Sequence, residues 1–73
     1  MIEVRLFATL RQGREKIYYF SAEEYKTAGE LLKKLDIPEK DVAILLINGF
    51  HSKPDAAVKD GDIISFFPTV AGG

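Results

Sequence analysis

The most distinctive residues able to do chemistry lie at the end of the chain, Thr69-Val70-Ala71-Gly72-Gly73. This stretch carries no charged side chain and shrinks to two glycines and an α-carboxylate. A solvated disordered tail is usually charged or polar, so the composition points instead to a segment threaded somewhere narrow. Without Cβ atoms, Gly72 and Gly73 let another backbone and a nucleotide approach the carboxylate closely. At about 7% glycine usage, two in succession at a terminus arise by chance roughly half a per cent of the time. A carboxylate is a poor electrophile, because attack pushes electrons onto a group that is already anionic. An acyl-adenylate would supply a leaving group. Nothing in the chain resembles an ATP cradle, with no Gly-rich loop followed by Lys, so activation is expected from a partner.

Other chemistry is poorly provided for. Cysteine is absent, which excludes disulfides, thiolate metal sites and a cysteine nucleophile or persulfide. His51 is the only histidine, so neither a metal cluster nor a Ser/His/Asp set can be assembled. Glu23 and Glu24 are adjacent acids in a polar connection, where carboxylates are usually just solvated.

Seventy-three residues make one expected domain, 1–73, with 69–73 as a flexible tail. A chain this short buries only about 60% of its unfolded surface, so it holds one small core and little room for an enclosed active site. With 47% hydrophobic and 29% charged residues it is an ordinary globular composition. The formal net charge of −1 offers no polybasic footprint for nucleic acid or an anionic membrane. No apolar run approaches the roughly 20 residues of a membrane span. A strand-like pattern begins at Ile2, so no signal peptide is expected and the location is taken as cytoplasmic.

The elements that would position the tail follow from periodicity. Ile2, Val4, Leu6, Ala8 and Leu10 alternate with Glu3, Arg5, Phe7, Thr9 and Arg11, a period-two strand with one apolar face. Phe7 is the large aromatic on its otherwise polar side. Arg11-Gln12-Gly13-Arg14 is a turn, and Lys16 to Phe20 a returning strand. Arg11, Arg14 and Lys16 fit a solubilising turn and edge. Thr27 with Glu30 forms a capping box, and Ala28, Leu31, Leu32 and Leu35 lie on one helical stripe. Lys33 and Lys34 suit the helix C-terminus, and Asp36-Ile37-Pro38 ends it. Ala43 to Ile47 is apolar on both faces and reads as a buried strand. Asn48-Gly49 signals a type I′ hairpin turn into a short strand, Phe50 to Lys53.

After a crossover from Pro54 to Lys59, Asp60-Gly61-Asp62 supplies turn chemistry, with positive φ available to Gly61 and aspartates able to bond nearby backbone. Ile63 to Phe67 is the last strand, and Pro68 is expected to stop it. The order implies an α+β sheet of four to five strands with one helix across one face. The uncovered face would then expose Phe7 and whichever of Phe66 and Phe67 shares its side, the kind of aromatic patch that marks an interface.

The ending Asp60-Gly61-Asp62 with Phe66-Phe67-Pro68-Thr69-Val70-Ala71-Gly72-Gly73 resembles the MoaD/ThiS sulfur carriers, most closely the molybdopterin synthase small subunit. Val4 to Arg11, the helix from Thr27 to Leu35 and Ile47-Asn48-Gly49 carry the same resemblance, which spans nearly the whole chain. It implies a mixed-sheet, ubiquitin-like β-grasp fold with first and last strands side by side. It also implies a chain that is not catalytic alone. A MoeB-like, E1-like enzyme would use ATP to adenylate Gly73, and a sulfurtransferase would supply sulfur for a thiocarboxylate. The tail would then enter the large subunit of molybdopterin synthase to build the dithiolene that holds molybdenum or tungsten.

On that resemblance Gly73 is the reacting residue and Gly72 gives it clearance. Phe66, Phe67, Pro68 and Val70 position and dock the tail, with Phe7 and Arg11 as further interface residues. No cofactor or metal would be bound by the chain itself. Thr69 replaces a frequent second proline, Val58 a usual leucine, and the Arg11 to Lys16 turn is shorter than in many members. A thiamine-pathway carrier and a ubiquitin-like modifier joined through Gly73 are the alternatives; the Phe-Phe-Pro ending argues against the former.

Overall fold

Inward-facing Ile2, Val4, Leu6, Ile64 and Phe66 are all 0% exposed, and around them the chain wraps one sheet and one helix. The computed structural model describes residues 1–70; the expectations placed on Ala71, Gly72 and Gly73 lie outside the described residues. The strands are β1 (Ile2–Leu6), β2 (Ile17–Phe20), β3 (Val42–Ile47), β4 (Phe50–His51) and β5 (Ile63–Pro68). They form one five-stranded sheet in the order β2-β1-β5-β3-β4. β1 and β5 run parallel, and the other pairings are antiparallel. The β-grasp arrangement expected above, with first and last strands adjacent, is the one observed.

The helix α1 (Ala28–Lys34) begins with the expected Thr27 cap, while Glu30 reaches back to the residue before the cap and not to Thr27 itself. Thr27 Oγ1 accepts from the Glu30 N–H at 3.3 Å, and Glu30 Oε1 accepts from the Lys26 N–H at 2.7 Å. Its end is a Schellman motif: Asp36 takes φ 60°, its N–H donates to Lys33 O, and the Ile37 N–H donates to Leu32 O at 2.9 Å. Ala28, Leu31 and Leu32 are buried against the sheet, and Ile37 closes the core behind them.

β5 is seated by a polar lock. Asn48 and Gly49 have φ of 53° and 86°, the double positive values of the expected type I′ turn. That turn aims the Asn48 side chain at the start of β5. Asn48 Oδ1 accepts from the Ile63 N–H at 2.9 Å, while Asn48 Nδ2 donates to Asp62 Oδ1 at 2.9 Å. Asp62 is 3% exposed and also accepts from the Lys59 N–H at 2.9 Å and Lys59 Nζ at 3.2 Å. Its own carbonyl accepts from the Glu3 N–H at 2.9 Å, tying the turn to β1.

Five expectations are corrected. β1 ends at Leu6 and not at Leu10: Ala8 takes φ 53°, and Ala8–Arg11 is a 3-10 helix that leaves Ala8 exposed and swings Leu10 back into the core. β3 is not buried on both faces, because one helix covers only one side; Ala43 and Ile44 are exposed while Leu45 is buried. β4 stops at His51, short of Lys53. Pro68 does not stop β5. A register shift between Val42 and Ile44 brings Val42 opposite Pro68, a bulged strand end where a missing N–H is tolerated. Thr69, assigned above to the free tail, donates its N–H to Asp41 O at 3.1 Å.

Burial by itself pushes the Asp62 carboxyl up, but the bonds from Asn48 and Lys59 outweigh it and hold the group below its ordinary value. A depressed folded-state value means the stabilisation is complete above the unfolded value near about pH 4 and is lost as pH falls through the folded one. Asp62→Asn is therefore expected to lower stability by about 1–3 kcal/mol at neutral pH. In urea titrations that gap should hold from about pH 7 to about pH 5 and close below about pH 4. A gap independent of pH would remove the charge from this account.

Candidate functional site: the C-terminal exit

β5 is the central strand, bonded to β1 on one side and β3 on the other, so its end leaves the domain from the middle of the sheet. Alternation along β5 divides its two phenylalanines. Phe66 points to the helix side and is 0% exposed. Its expected docking role is corrected accordingly: Phe66 anchors the strand from below and offers no surface to a partner. Phe67 points outward and lies flat against Phe7, with ring centroids 4.3 Å apart and an interplanar angle of 10°. The two expected aromatics thus meet on the uncovered face.

Arg11 completes this surface. Its Nε donates to Leu6 O at 2.7 Å, which holds the side chain back along β1. From there the guanidinium carbon sits 5.4 Å from the Phe7 ring centroid, within cation–π range. The 3-10 helix that cuts β1 short is what makes this return possible. On the other flank Ile44 lies opposite Phe67 in the β3–β5 register and is 40% exposed. Phe67, Phe7, Arg11 and Ile44 therefore form a continuous, partly apolar surface beside the exit. Val70, 81% exposed, is the last described residue of the tail.

Sequence reasoning missed Ile44, because an all-apolar strand carries no alternation to say which face is open. A signal was present in the single helix, which implies that half of any such strand is uncovered. It also undervalued Arg14, grouped above with a solubilising turn. Arg14 donates to the carbonyls of Leu10 at 3.2 Å, Leu35 at 3.1 Å and Asp36 at 3.1 Å. It ties the 3-10 helix to the end of α1 and so fixes the ground on which Arg11 stands.

Chemically this is a presenting surface. No group of three His, Cys, Asp or Glu among the described residues could hold a metal ion. None of the helices among them is long and apolar enough to cross a membrane. What the geometry provides is a strand end held in a fixed direction, flanked by aromatic and aliphatic side chains and one cation.

Residues 4–73 match the model of the ThiS family. The chain is 32% identical over 91 aligned positions to small archaeal modifier protein 3 of Haloferax volcanii, covering 99% of this chain and 98% of that protein. The crystal structure of small archaeal modifier protein 1 from the same organism matches with a TM-score of 0.75 at 25% identity, covering 94% of this chain and 97% of that one. A chain in the complex of subunits 1 and 2 of the molybdopterin-converting factor from Helicobacter pylori matches at 27% identity and a TM-score of 0.65, covering 99% of this chain and 97% of that one.

The stack makes a measurable claim. Phe7→Ala and Phe67→Ala, alone and together, should reveal a favourable coupling within about 0.5–1.5 kcal/mol, towards the low end because both rings are part exposed. Chemical denaturation of the four proteins measures it. Simple additivity would mean that the rings contribute area but no mutual contact.

Proposed function

This chain belongs to the ThiS family of small ubiquitin-like carriers, and from that premise we propose that its C-terminal Gly73 is a sulfur-carrying residue serving molybdopterin synthesis. The Gly73 carboxylate attacks the α-phosphorus of ATP held by an E1-like partner, and pyrophosphate leaves. Hydrosulfide then attacks the acyl carbon, AMP leaves and a thiocarboxylate remains. A sulfurtransferase persulfide serves equally once a thiol cleaves the acyl disulfide it forms and is itself oxidised to a disulfide. Sulfur is the better nucleophile of the two terminal atoms; it bonds to a carbon of the pterin precursor and displaces an oxygen substituent. Water then cleaves the acyl–sulfur bond, leaving sulfur on the pterin as one arm of the dithiolene and a carboxylate on Gly73. Two rounds build both arms. The chain acts as the small, sulfur-donating subunit and supplies no catalytic side chain of its own.

The observation that carries this reading is the gripped strand end. Thr69 is bonded to Asp41, so the free reach to the terminal carboxylate is that of residues 70–73 and not of the whole stretch from 69. Three residues beyond Val70 can span at most about 10 Å. A partner able to reach the carboxylate must therefore come close to the sheet, where Phe7, Phe67, Arg11 and Ile44 wait. The likeness to a chain in a complex of subunits 1 and 2 of a molybdopterin-converting factor supports that mode of use. A second reading is favoured by the small archaeal modifier proteins among the relatives: Gly73 joined to the lysine of a target protein. Both begin with the same activated Gly73.

Incubation with an E1-like enzyme, ATP and a sulfide donor is expected to exchange one terminal oxygen for sulfur, seen by intact-mass spectrometry. A chain lacking Gly73 should show no exchange. Mixing the product with a large synthase subunit and pterin precursor should consume the thiocarboxylate as dithiolene forms. If lysine adducts ending in Gly73 accumulate on other proteins and no precursor is converted, the modifier reading replaces the carrier one. Failure of both exchange and conjugation with a competent enzyme removes the proposal.

A further inference from the structure

The outer edge of the sheet at β2 has been given no role. The Leu6 N–H donates to Lys16 O at 2.8 Å, and in the β1–β2 register Leu6 and Lys16 are directly opposed. By antiparallel alternation Tyr18 and Phe20 then also bond inward to β1, while Ile17 and Tyr19 turn their N–H and C=O groups away from the sheet. Both side chains are on the face opposite the helix, 44% and 59% exposed. Natural edge strands are usually blunted by charge, proline or a bulge. Residues 17–20, Ile-Tyr-Tyr-Phe, have none of these. The opposite edge, β4, is only two residues long and offers no comparable template.

We propose that β2 pairs antiparallel with β2 of a second copy of this chain about a twofold axis at Tyr18, making a ten-stranded sheet. The register is set by which groups point outward: only Ile17 opposite Tyr19 of the other copy satisfies all four pairs of free N–H and C=O groups at once. Because opposed residues share a face, each exposed Ile17 lies against an exposed Tyr19, a favourable β-branched/aromatic cross-strand pair.

Charge agrees with this orientation. The six residues before the strand hold Arg11, Arg14 and Lys16 with one acid, Glu15, and the six after it hold the exposed acids Glu23 and Glu24 with one base, Lys26. Antiparallel pairing sets the basic end of each copy alongside the acidic end of the other, whereas a parallel one would place like charges together. The pairing also leaves the tails free. β2 runs antiparallel to β1, and β5 parallel to it, so the two C-terminal exits point away from each other at opposite ends of the joined sheet. A four-residue edge buries far less than the roughly 1,200 Å² of a standard stable interface, so the dimer is weak and forms in the high-micromolar to millimolar range.

Sedimentation of the full chain across that range should show reversible monomer–dimer exchange, weakened by added salt. Amide exchange of Ile17 and Tyr19 should slow as concentration rises, while that of Phe50 and His51 stays constant. Tyr19→Lys puts two cations at the pairing and should leave the chain monomeric with an unchanged far-UV spectrum. Tyr19→Phe keeps the apolar contact and should dimerise like the parent. A parent chain that stays monomeric at millimolar concentration overturns the proposal. So does a Tyr19→Lys variant that dimerises undiminished, or concentration-dependent protection confined to β4. None of these readouts depends on Gly73, so they stand or fall apart from the carrier reading.

Discussion

The direction in which the chain leaves the sheet depends on one constraint: β5 is gripped on both sides, by β1 in parallel and by β3 in antiparallel pairing. A central strand has its backbone groups paired along both edges, so its direction is set by the whole sheet and not by a local turn. The lock at its start adds register to direction. Asn48 bonds Ile63 through both backbone and side chain, and Asp62 binds Asn48 and Lys59 in turn. A slip of one residue would exchange Phe66 for Phe67 on the core face and undo both the anchor below and the stack above.

From that constraint the two faces take different duties. The helix side holds Leu6, Leu31, Leu32, Ile64 and Phe66, each essentially without solvent contact and each contributing about 1.5–3 kcal/mol by burial. With only one helix, a chain of this size has nothing left to cover the other side. Apolar residues at Phe7, Ile17, Tyr19, Ile44 and Phe67 thus remain wholly or partly open on one continuous face. Arg11 and the paired rings moderate that exposure near the exit, the one by standing over a ring and the others by covering each other.

What could be read beforehand was what depends on local backbone chemistry. Thr27-x-x-Glu30, Asn48-Gly49 and Asp60-Gly61-Asp62 each specify a turn or cap by short-range bonds, and each is found where its residues place it. The helical stripe and the inward alternation of Ile2, Val4 and Leu6 were equally plain, and with them the β-grasp order. The failures are non-local. Ala8 continues the period-two pattern perfectly and yet adopts a positive φ, and the 3-10 helix it opens is held by Arg14 on the carbonyls of Leu35 and Asp36, which only the folded chain brings near. Val42 to Ile47 is uniformly apolar, so no pattern could say that Ile44 faces out. Pro68 is a breaker by rule, and its place in β5 depends on a bulge in a strand more than twenty positions away. At the site, Phe7, Phe67 and Arg11 were found as residues, while their contacts were not.

The attachment of Thr69 changes how the exit is to be understood. A tail free from residue 69 could be engaged at a distance, with the domain serving only as a handle. With Thr69 held at Asp41, three further residues could span at most about 10 Å beyond Val70, less than any dimension of a domain measuring 35 × 23 × 19 Å. A partner that gripped the chain just past Val70 would then also meet the sheet around Phe67. On the proposed carrier reading, docking on the aromatic surface and access to Gly73 would be one event, and a partner that did not fit the surface would be kept from the carboxylate as well. On that same reading Arg14, which ties the 3-10 helix carrying Arg11 to the end of α1, would bear on which partners reach Gly73 without approaching it.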